Sequence, residues 1–428
     1  MESLSDAGTA RDRGYVLAVL TVAYAFSIAD RFSIATVIDP IRAELGLSDA
    51  GVAAVSAVAI GVIYVSLGIP VAAYADAHNR RNLLSLALAV WSGMTTLCGF
   101  AQNSLQLVLA RLGVGFGEAG GTPPSTSMLA DEFPPERRPF ALTVYALGAC
   151  LGAWLGSSVA GIAAERAGWR AAFLVLGIPG VALAVLIRLT VREPRRGGLD
   201  GIRTAGRSTL AETLRFIGSQ RSAVHLLLGG GVATLWSWGL MWWTPSFLQR
   251  SHHLSVGAAG AMLGPMHLVA GTAGTLLAAW LMSRPAARDP RYIVRLLAVV
   301  VAVTTVPSVL AYAVRSTAAA QACLWLFVPG VYFYIGPILG VLQNVTPPRM
   351  RASACALLLL VANVGNLVIA PLVLGWLSDY FRDVLGAGAE SLRWGLMILA
   401  PTGLWAAWHL WTSARTILAD AARIGSPG

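Results

Sequence analysis

Twelve runs of about 20 or more mainly apolar residues divide this chain. A helix of that length crosses a hydrocarbon layer about 30 Å thick while satisfying its own backbone hydrogen bonds. The runs cover 14–40, 49–76, 82–101, 104–131, 138–163, 169–190, 223–249, 255–282, 291–314, 318–345, 351–378 and 391–415. The expected fold class is therefore an all-α polytopic membrane protein with twelve transmembrane helices. Only 12% of the 428 residues are charged, about half the share in a soluble domain.

The net charge of +10 does not point to nucleic acid, because the arginines sort by side. There are 31 of them and no lysine. The even-numbered connections and both tails carry 22, the odd-numbered connections carry 7, and Arg31 and Arg111 lie inside apolar runs. An excess of positive charge marks the cytoplasmic side, so both termini are expected there. Residues 1–13 are polar and lack an apolar core, so no cleavable signal peptide is expected before the first run.

The longest polar stretch, 191–222, follows the sixth run and ends in an amphipathic piece, LAETLRFIGSQ, expected to lie along the membrane surface. It divides the chain into an expected N-terminal six-helix bundle (1–190), a cytoplasmic linker (191–222) and a C-terminal six-helix bundle with a short tail (223–428). The halves look related. PPERRPFALTVYALGACLG precedes the fifth helix of one half, and PPRMRASACALLLLVANVG precedes its counterpart. Gly161 and Glu165 recur as Gly375 and Asp379, with the same spacing of four. Such a repeat is the signature of a two-bundle transporter with its site between the halves.

Charges at bilayer depth cost about 2.5–3.5 kcal/mol on insertion scales and usually pair or serve a pathway. Two runs hold them near their middle: Asp30–Arg31 in the first, Arg111 and Glu118 in the fourth. Arg111 and Glu118 are seven residues apart, so they share a helix face about 10 Å apart. Both sets sit at similar depth from the outer end. Asp30 and Glu118 are expected to share Arg31 and Arg111, with the two carboxylates changing protonation during a proton-coupled cycle. Arg31 and Arg111 would complete the network, and Arg31 could instead hold an anionic head group. The alternative is a static cluster that only fixes helix packing.

The second half has no comparable charge. Trp236, Trp238, His267, Tyr332, Tyr334 and Asn363 are candidate cavity residues there, beside Thr234, Ser237, Asn344 and Asn366. An aromatic, weakly polar half facing a charged one suits an amphipathic substrate. Trp242–Trp243 near Pro245 could instead form an outer belt. Gly120–Gly121 with Pro123–Pro124 predicts a kink in the fourth helix, and Pro329 and Pro337 predict one in the tenth. The cysteines Cys98, Cys150, Cys323 and Cys355 fall singly in apolar runs and read as small buried hydrophobes. No metal, cofactor or enzymatic role is expected. There is no HExxH motif, no hydrolase setting for GxSxG and no Walker loop. GVGFGEAGG lies in an apolar helix with no strand before it, which excludes a dinucleotide loop.

The second connection, AAYADAHNRR (72–81), resembles the Gly-x-x-x-Asp-x-x-Gly-Arg-Arg motif of the major facilitator superfamily. Asp76, Arg80 and Arg81 match, whereas Ala72 and Asn79 stand where glycine is usual. The resemblance implies a cytoplasmic charge latch made by Asp76, Arg80 and Arg81. ADRFSIATVIDPIRAELGLSD (29–49), RLGVGFGEAGGTPPSTSMLADEFPPERR (111–138) and GWRAAFLVLGIPG (168–180) with VREP (191–194) look like the spinster-like branch. WWTPSFLQRSHHLS (242–255) is similar to the same group. That branch implies a lipid or lysolipid transporter, and it also points to Asp30, Arg31, Arg111 and Glu118 as its site.

The expected function is secondary active transport of a small amphipathic, lipid-like substrate by alternating access with proton coupling. The protein is expected to be a monomer in a bacterial inner membrane, with protons, substrate and membrane lipid as partners and no nucleic acid. The rival within transport is a carrier for a small organic anion or drug-like compound, which would have a closed, more basic cavity. The rival from another class is a non-transporting membrane receptor.

Overall fold

In a computed structural model, residues 10–134, 137–194 and 209–422 are described, and every regular element among them is helical. Among the described residues, eight helices are long and apolar enough to cross a membrane by themselves: Asp12–Thr36, Arg138–Ala167, Trp169–Thr190, Arg221–Ser251, Val256–Met282, Pro290–Ala313, Thr317–Asn344 and Ser353–Asp383. A ninth is added if Ile38–Leu45 and Asp49–Ile63, bent by 116°, count as one span. The third apolar run forms one helix, Arg80–Cys98, and two others are helical but interrupted. The fourth is divided into Ser104–Glu118 and Thr122–Glu132, and the twelfth into Ser391–Leu399 and Thr402–Ala422.

Side-chain caps set many of the helix starts. Ser48 accepts from Gly51 N, Asn103 from Gln106 N, Ser255 from Ala258 N and Ser316 from Ala319 N. Each supplies a partner for a backbone donor that the first turn leaves unpaired. The amphipathic piece forms Leu210–Ser219, opened by a capping box of Thr209 and Glu212. Its Thr213 and Ile217 are buried, and it packs on Arg221–Ser251 and Arg351–Asn363.

Four helices share a feature that ties the chain's quarters together. A π-helical turn interrupts the segments 49–77, 138–167, 256–282 and 351–383 at Ala54–Val58, Leu155–Val159, Met266–Gly271 and Val364–Ile369. These are the second, fifth, eighth and eleventh apolar runs. Such turns are rare and tend to sit at functional places. The same four helices make the main contacts between the earlier and later parts of the chain. Residues 49–77 meet 351–383, and 138–167 meet 256–282.

The first helix, Ala10–Thr36, lies against Arg138–Trp154 and the π-helical turn after it. The approach is close because of a small residue: a Cβ on Gly156 would lie 2.3 Å from the Ala29 carbonyl oxygen. This contact fixes the rotation of the first helix and hence where Asp30 and Arg31 point.

Candidate functional site: a buried charge quartet beside an inter-half cavity

The structure brings Asp30, Arg31, Arg111 and Glu118 together between the first and fourth runs, as two separate pairs. Arg111 Nη1 donates to Asp30 Oδ2 at 2.8 Å, and Arg31 Nη2 and Nε donate to Glu118 Oε2 at 2.7 and 3.1 Å. The expectation that both carboxylates share both arginines is thus replaced by one arginine for each. The helical rotation instead places Asp30 and Arg31, neighbours in sequence, toward different residues of the facing helix.

Neutral donors complete each carboxylate. Thr95 Oγ1 donates to Asp30 Oδ1 at 2.5 Å, and Ser27 Oγ to Glu118 Oε1 at 3.1 Å. Asp30, Arg111 and Glu118 are at most 2% exposed, whereas the Arg31 side chain is 16% exposed. Burying charge is tolerable only when it is paired and hydrogen-bonded; both carboxylates meet that condition, whereas Arg111 Nη2 is buried with no partner among the described residues. Nothing in the sequence distinguishes Ser27 and Thr95 from other hydroxyls in apolar runs.

Arg31 opens onto a cavity of about 160 Å³ between the two halves. Tyr24, Ile28 and Phe32 line it from the first helix, and Thr234, Trp238 and Trp242 face them from Arg221–Ser251. Tyr334, Asn363 and Asn366 close it, and Arg31 is the charged side chain among the lining residues. Of the six candidate cavity residues, Trp238, Tyr334 and Asn363 are on the wall.

Trp236, His267 and Tyr332 are not. Trp236 is fully buried within the second half, its indole Nε1 donating to Ser308 Oγ at 3.1 Å. His267 Nδ1 bonds the Tyr332 hydroxyl at 3.0 Å, and its ring meets Phe32 edge-on at 4.7 Å. This pair forms a layer behind Trp238, whose ring lies 5.3 Å from that of Tyr332. The proposed belt is also corrected. Trp243 is buried and reaches the Pro371 carbonyl at 3.3 Å, while Trp242 faces the cavity. Trp236, Trp242 and Trp243 sit on one helix packed on several sides, so composition could not rank them. The Trp242 indole N–H is buried with no partner among the described residues.

The fourth run is broken between Glu118 and Thr122, next to the charge pair. In the tenth, the break falls at Tyr334; Pro329 lies within the helix before it.

Of the three residues expected to form a latch, two have described side chains, Arg80 and Arg81. The side chain of Asp76 lies outside the described residues. Arg80 is 2% exposed and ion-paired with Asp131 and with Glu193, the latter at 2.8 Å. It also donates to Ser127 Oγ at 2.8 Å and to the Pro194 carbonyl at 2.9 Å. Arg81 is held differently, through its backbone N–H to Glu193 Oε2 at 2.8 Å. Arg80 thus ties the start of its own helix to the ends of the fourth and sixth runs.

At the opposite end lies a cluster the sequence did not single out. Arg250 donates to both carboxylate oxygens of Asp49, at 2.7 and 2.8 Å, and to Asp39. Ser378 and Arg382 also reach Asp49, at 2.7 and 3.3 Å. Asp379 accepts from the backbone N–H groups of Asp49 and Ala50 at 2.9 and 2.8 Å, capping the helix that begins there. A Cβ on Gly375 would lie 2.8 Å from the Asp49 carbonyl oxygen. The repeat partners make a matching contact. Glu165 accepts from Ser255 Oγ at 3.0 Å, and a Cβ on Gly161 would lie 3.1 Å from the Val256 carbonyl oxygen. The glycine–carboxylate spacing that suggested a repeat therefore marks two matching seams between the halves.

The family model "Major Facilitator Superfamily" matches residues 20–369. An MFS-type efflux pump of Mycolicibacterium smegmatis is 31% identical over 89% of this chain and 88% of its own. The sphingosine-1-phosphate transporter SPNS2 of Danio rerio is 27% identical over 58% of this chain, the match spanning half of that protein's length. A crystal structure of a bacterial homologue of the human lysosomal transporter spinster, inward-facing and occupied, has a TM-score of 0.83 at 28% identity and covers 96% of this chain and 99% of its own. These relatives are transporters rather than enzymes. The chain is a multi-pass transporter that belongs to the major facilitator superfamily, on its spinster-like branch.

Proposed function

We propose that this transporter moves an amphipathic, lysophospholipid- or sphingolipid-like substrate by alternating access, coupled to protons through Asp30 and Glu118. In this reading twelve spans form two six-helix bundles, 1–190 and 223–428, joined by a linker over 191–222. Both ends lie in the cytoplasm, the protein sits in a bacterial inner membrane, and it works as a monomer.

One observation carries the proposal: Arg31 is both the charged residue on the cavity wall and the ion-pair partner of Glu118. An anionic head group entering the cavity competes for the same guanidinium fork. A buried carboxylate that loses its counter-charge favours its protonated form. Substrate arrival at Arg31 and proton uptake at Glu118 are then one event. Asp30 follows because it is the next residue on the same helix, so a movement that frees Arg31 also strains the bond to Arg111. The apolar and aromatic wall made by Ile28, Phe32, Trp238 and Trp242 suits the part of an acyl chain nearest the head group.

The test is flux in proteoliposomes under an imposed pH gradient, with lysolipids and small organic anions run in parallel. Asp30→Asn and Glu118→Gln should abolish gradient dependence in folded protein. A gradient response that survives in both variants removes the coupling site. The second reading, a small organic anion or drug-like compound, is favoured by the cavity volume of about 160 Å³, below the usual range of roughly 300–1,000 Å³ for drug-sized sites. Flux of the anions without the lysolipids would select it. Binding without any flux would select a receptor.

A further inference from the structure

A second cavity, of about 570 Å³, lies away from the central site, between the start of Pro290–Ala313 and the Thr402–Ala422 helix. Asp289, Arg291 and Arg295 stand at its rim, with Leu296, Val299 and Trp411 on its walls. The rim charges are not equivalent. Asp289 caps the helix through Arg291 N at 2.9 Å and pairs with the Arg291 guanidinium at 2.9 Å. Arg295, one turn further in, is exposed and makes no ion pair among the described residues. Its guanidinium lies 5.8 Å from the Trp411 ring centroid.

Below Arg295 the surface is apolar. Val299, Val303 and Val306 continue the same helix face and are 49%, 62% and 57% exposed. Across the groove, Trp408 and Trp411 are 56% and 45% exposed. Arg415 follows Trp411 by one helical turn and is exposed, and Arg288 precedes Arg291 by three residues. The groove is therefore cationic at its mouth and apolar along its length. It carries a tryptophan at the transition, where this residue prefers to lie in a bilayer.

We propose that this groove is a binding site for an anionic phospholipid of the adjoining leaflet. The phosphate lies against the Arg295 guanidinium, which offers a planar fork of donors, and Trp411 supports the glycerol region. One acyl chain runs over Leu296, Val299 and Val303. Basic pockets between membrane helices recognise anionic head groups in this way. The charge count favours an anionic over a zwitterionic lipid. Asp289 is paired with Arg291, which leaves the charge of Arg295 over, with no further carboxylate on the groove wall. The site is separate from the central cavity, so a lipid here is a bound structural partner rather than cargo.

The test is native mass spectrometry of the full chain in neutral detergent. It is titrated with phosphatidylglycerol, with phosphatidylcholine of the same acyl chains, and with inorganic phosphate. Wild type should retain phosphatidylglycerol preferentially. Arg295→Gln should weaken that retention about tenfold, the worth of a charged hydrogen bond, without lowering the melting temperature. Trp411→Leu should weaken retention of both lipids, Arg295→Lys should restore part of the preference, and Arg315→Gln in a distant loop should change nothing. Three results would each overturn the assignment: Arg295→Gln binding phosphatidylglycerol like wild type, equal retention of phosphatidylcholine by wild type, or displacement of the lipid by inorganic phosphate.

Discussion

Arg250→Ala removes the side chain that joins the two halves at the Asp49 end. Its guanidinium makes two hydrogen bonds to Asp49, at 2.7 and 2.8 Å, and two to Asp39 Oδ1, the one from Nε at 2.9 Å, while being 10% exposed. Hydrogen bonds to charged groups are worth about 1.5–3 kcal/mol each, but the full sum overstates the loss. Asp49 keeps Ser378 and Arg382, at 2.7 and 3.3 Å. In the separated state every group here also regains water. A net cost of about 2–3 kcal/mol is reasonable, which shifts the balance between closed and separated ends by roughly 30- to 150-fold. The assay is pulsed electron–electron resonance between spin labels at positions 166 and 385, both exposed at this end, in a cysteine-free background. The variant should show a longer-distance population that is minor in wild type. Arg250→Lys, with charge but no fork, should fall between them. An unchanged distance distribution in Arg250→Ala would mean that apolar and backbone packing, not the ion pairs, holds this seam, and the reasoning would fail.

Further outcomes follow from the same geometry. Gly375→Val should shift the same labels in the same direction, because its Cβ would lie 2.8 Å from the Asp49 carbonyl oxygen and overpacking typically costs about 1–3 kcal/mol; an unshifted distribution would show that the seam yields. Arg111→Gln leaves Asp30 buried without its counter-charge and should lower stability by about 3–5 kcal/mol, seen as a depressed melting temperature, with the Asp30→Asn partner substitution recovering part of the loss. Trp242→Phe keeps the apolar wall but deletes the unpaired indole N–H, so it should raise KM several-fold with an unchanged melting temperature; equal KM values would remove Trp242 from substrate contact. Asp289 is held below the usual carboxylate range by Arg291, so its contribution is complete at neutral pH and is lost as pH falls through its lowered pKa. Asp289→Asn should therefore flatten the acid side of the stability–pH curve slightly.

Much of the site was legible because ionisable residues are so expensive in an apolar run that each one stands out. Asp30, Arg31, Arg111 and Glu118 were found that way, with no knowledge of packing. The break after Glu118 was legible from its glycines and prolines. The seam at Asp49 was not. Asp39, Asp49, Arg250 and Arg382 stand near the ends of apolar runs, where charge is ordinary, and only the glycine–carboxylate spacing of 375 and 379 hinted at a contact. Glu193 and Asp131 were not legible for the same reason.

The sequence by itself determined the apolar helices and the positions of the embedded charges, because burying backbone and charge in oil carries penalties that each stretch must meet locally. Tertiary structure alone decided that Arg31 pairs with Glu118 while Asp30 pairs with Arg111, that Trp242 rather than Trp236 faces the cavity, and that Arg250 closes on Asp49. Those outcomes depend on the rotation and tilt of one helix against another. Contacts such as Gly156 against Ala29 set that rotation, and they come from residues more than a hundred positions apart.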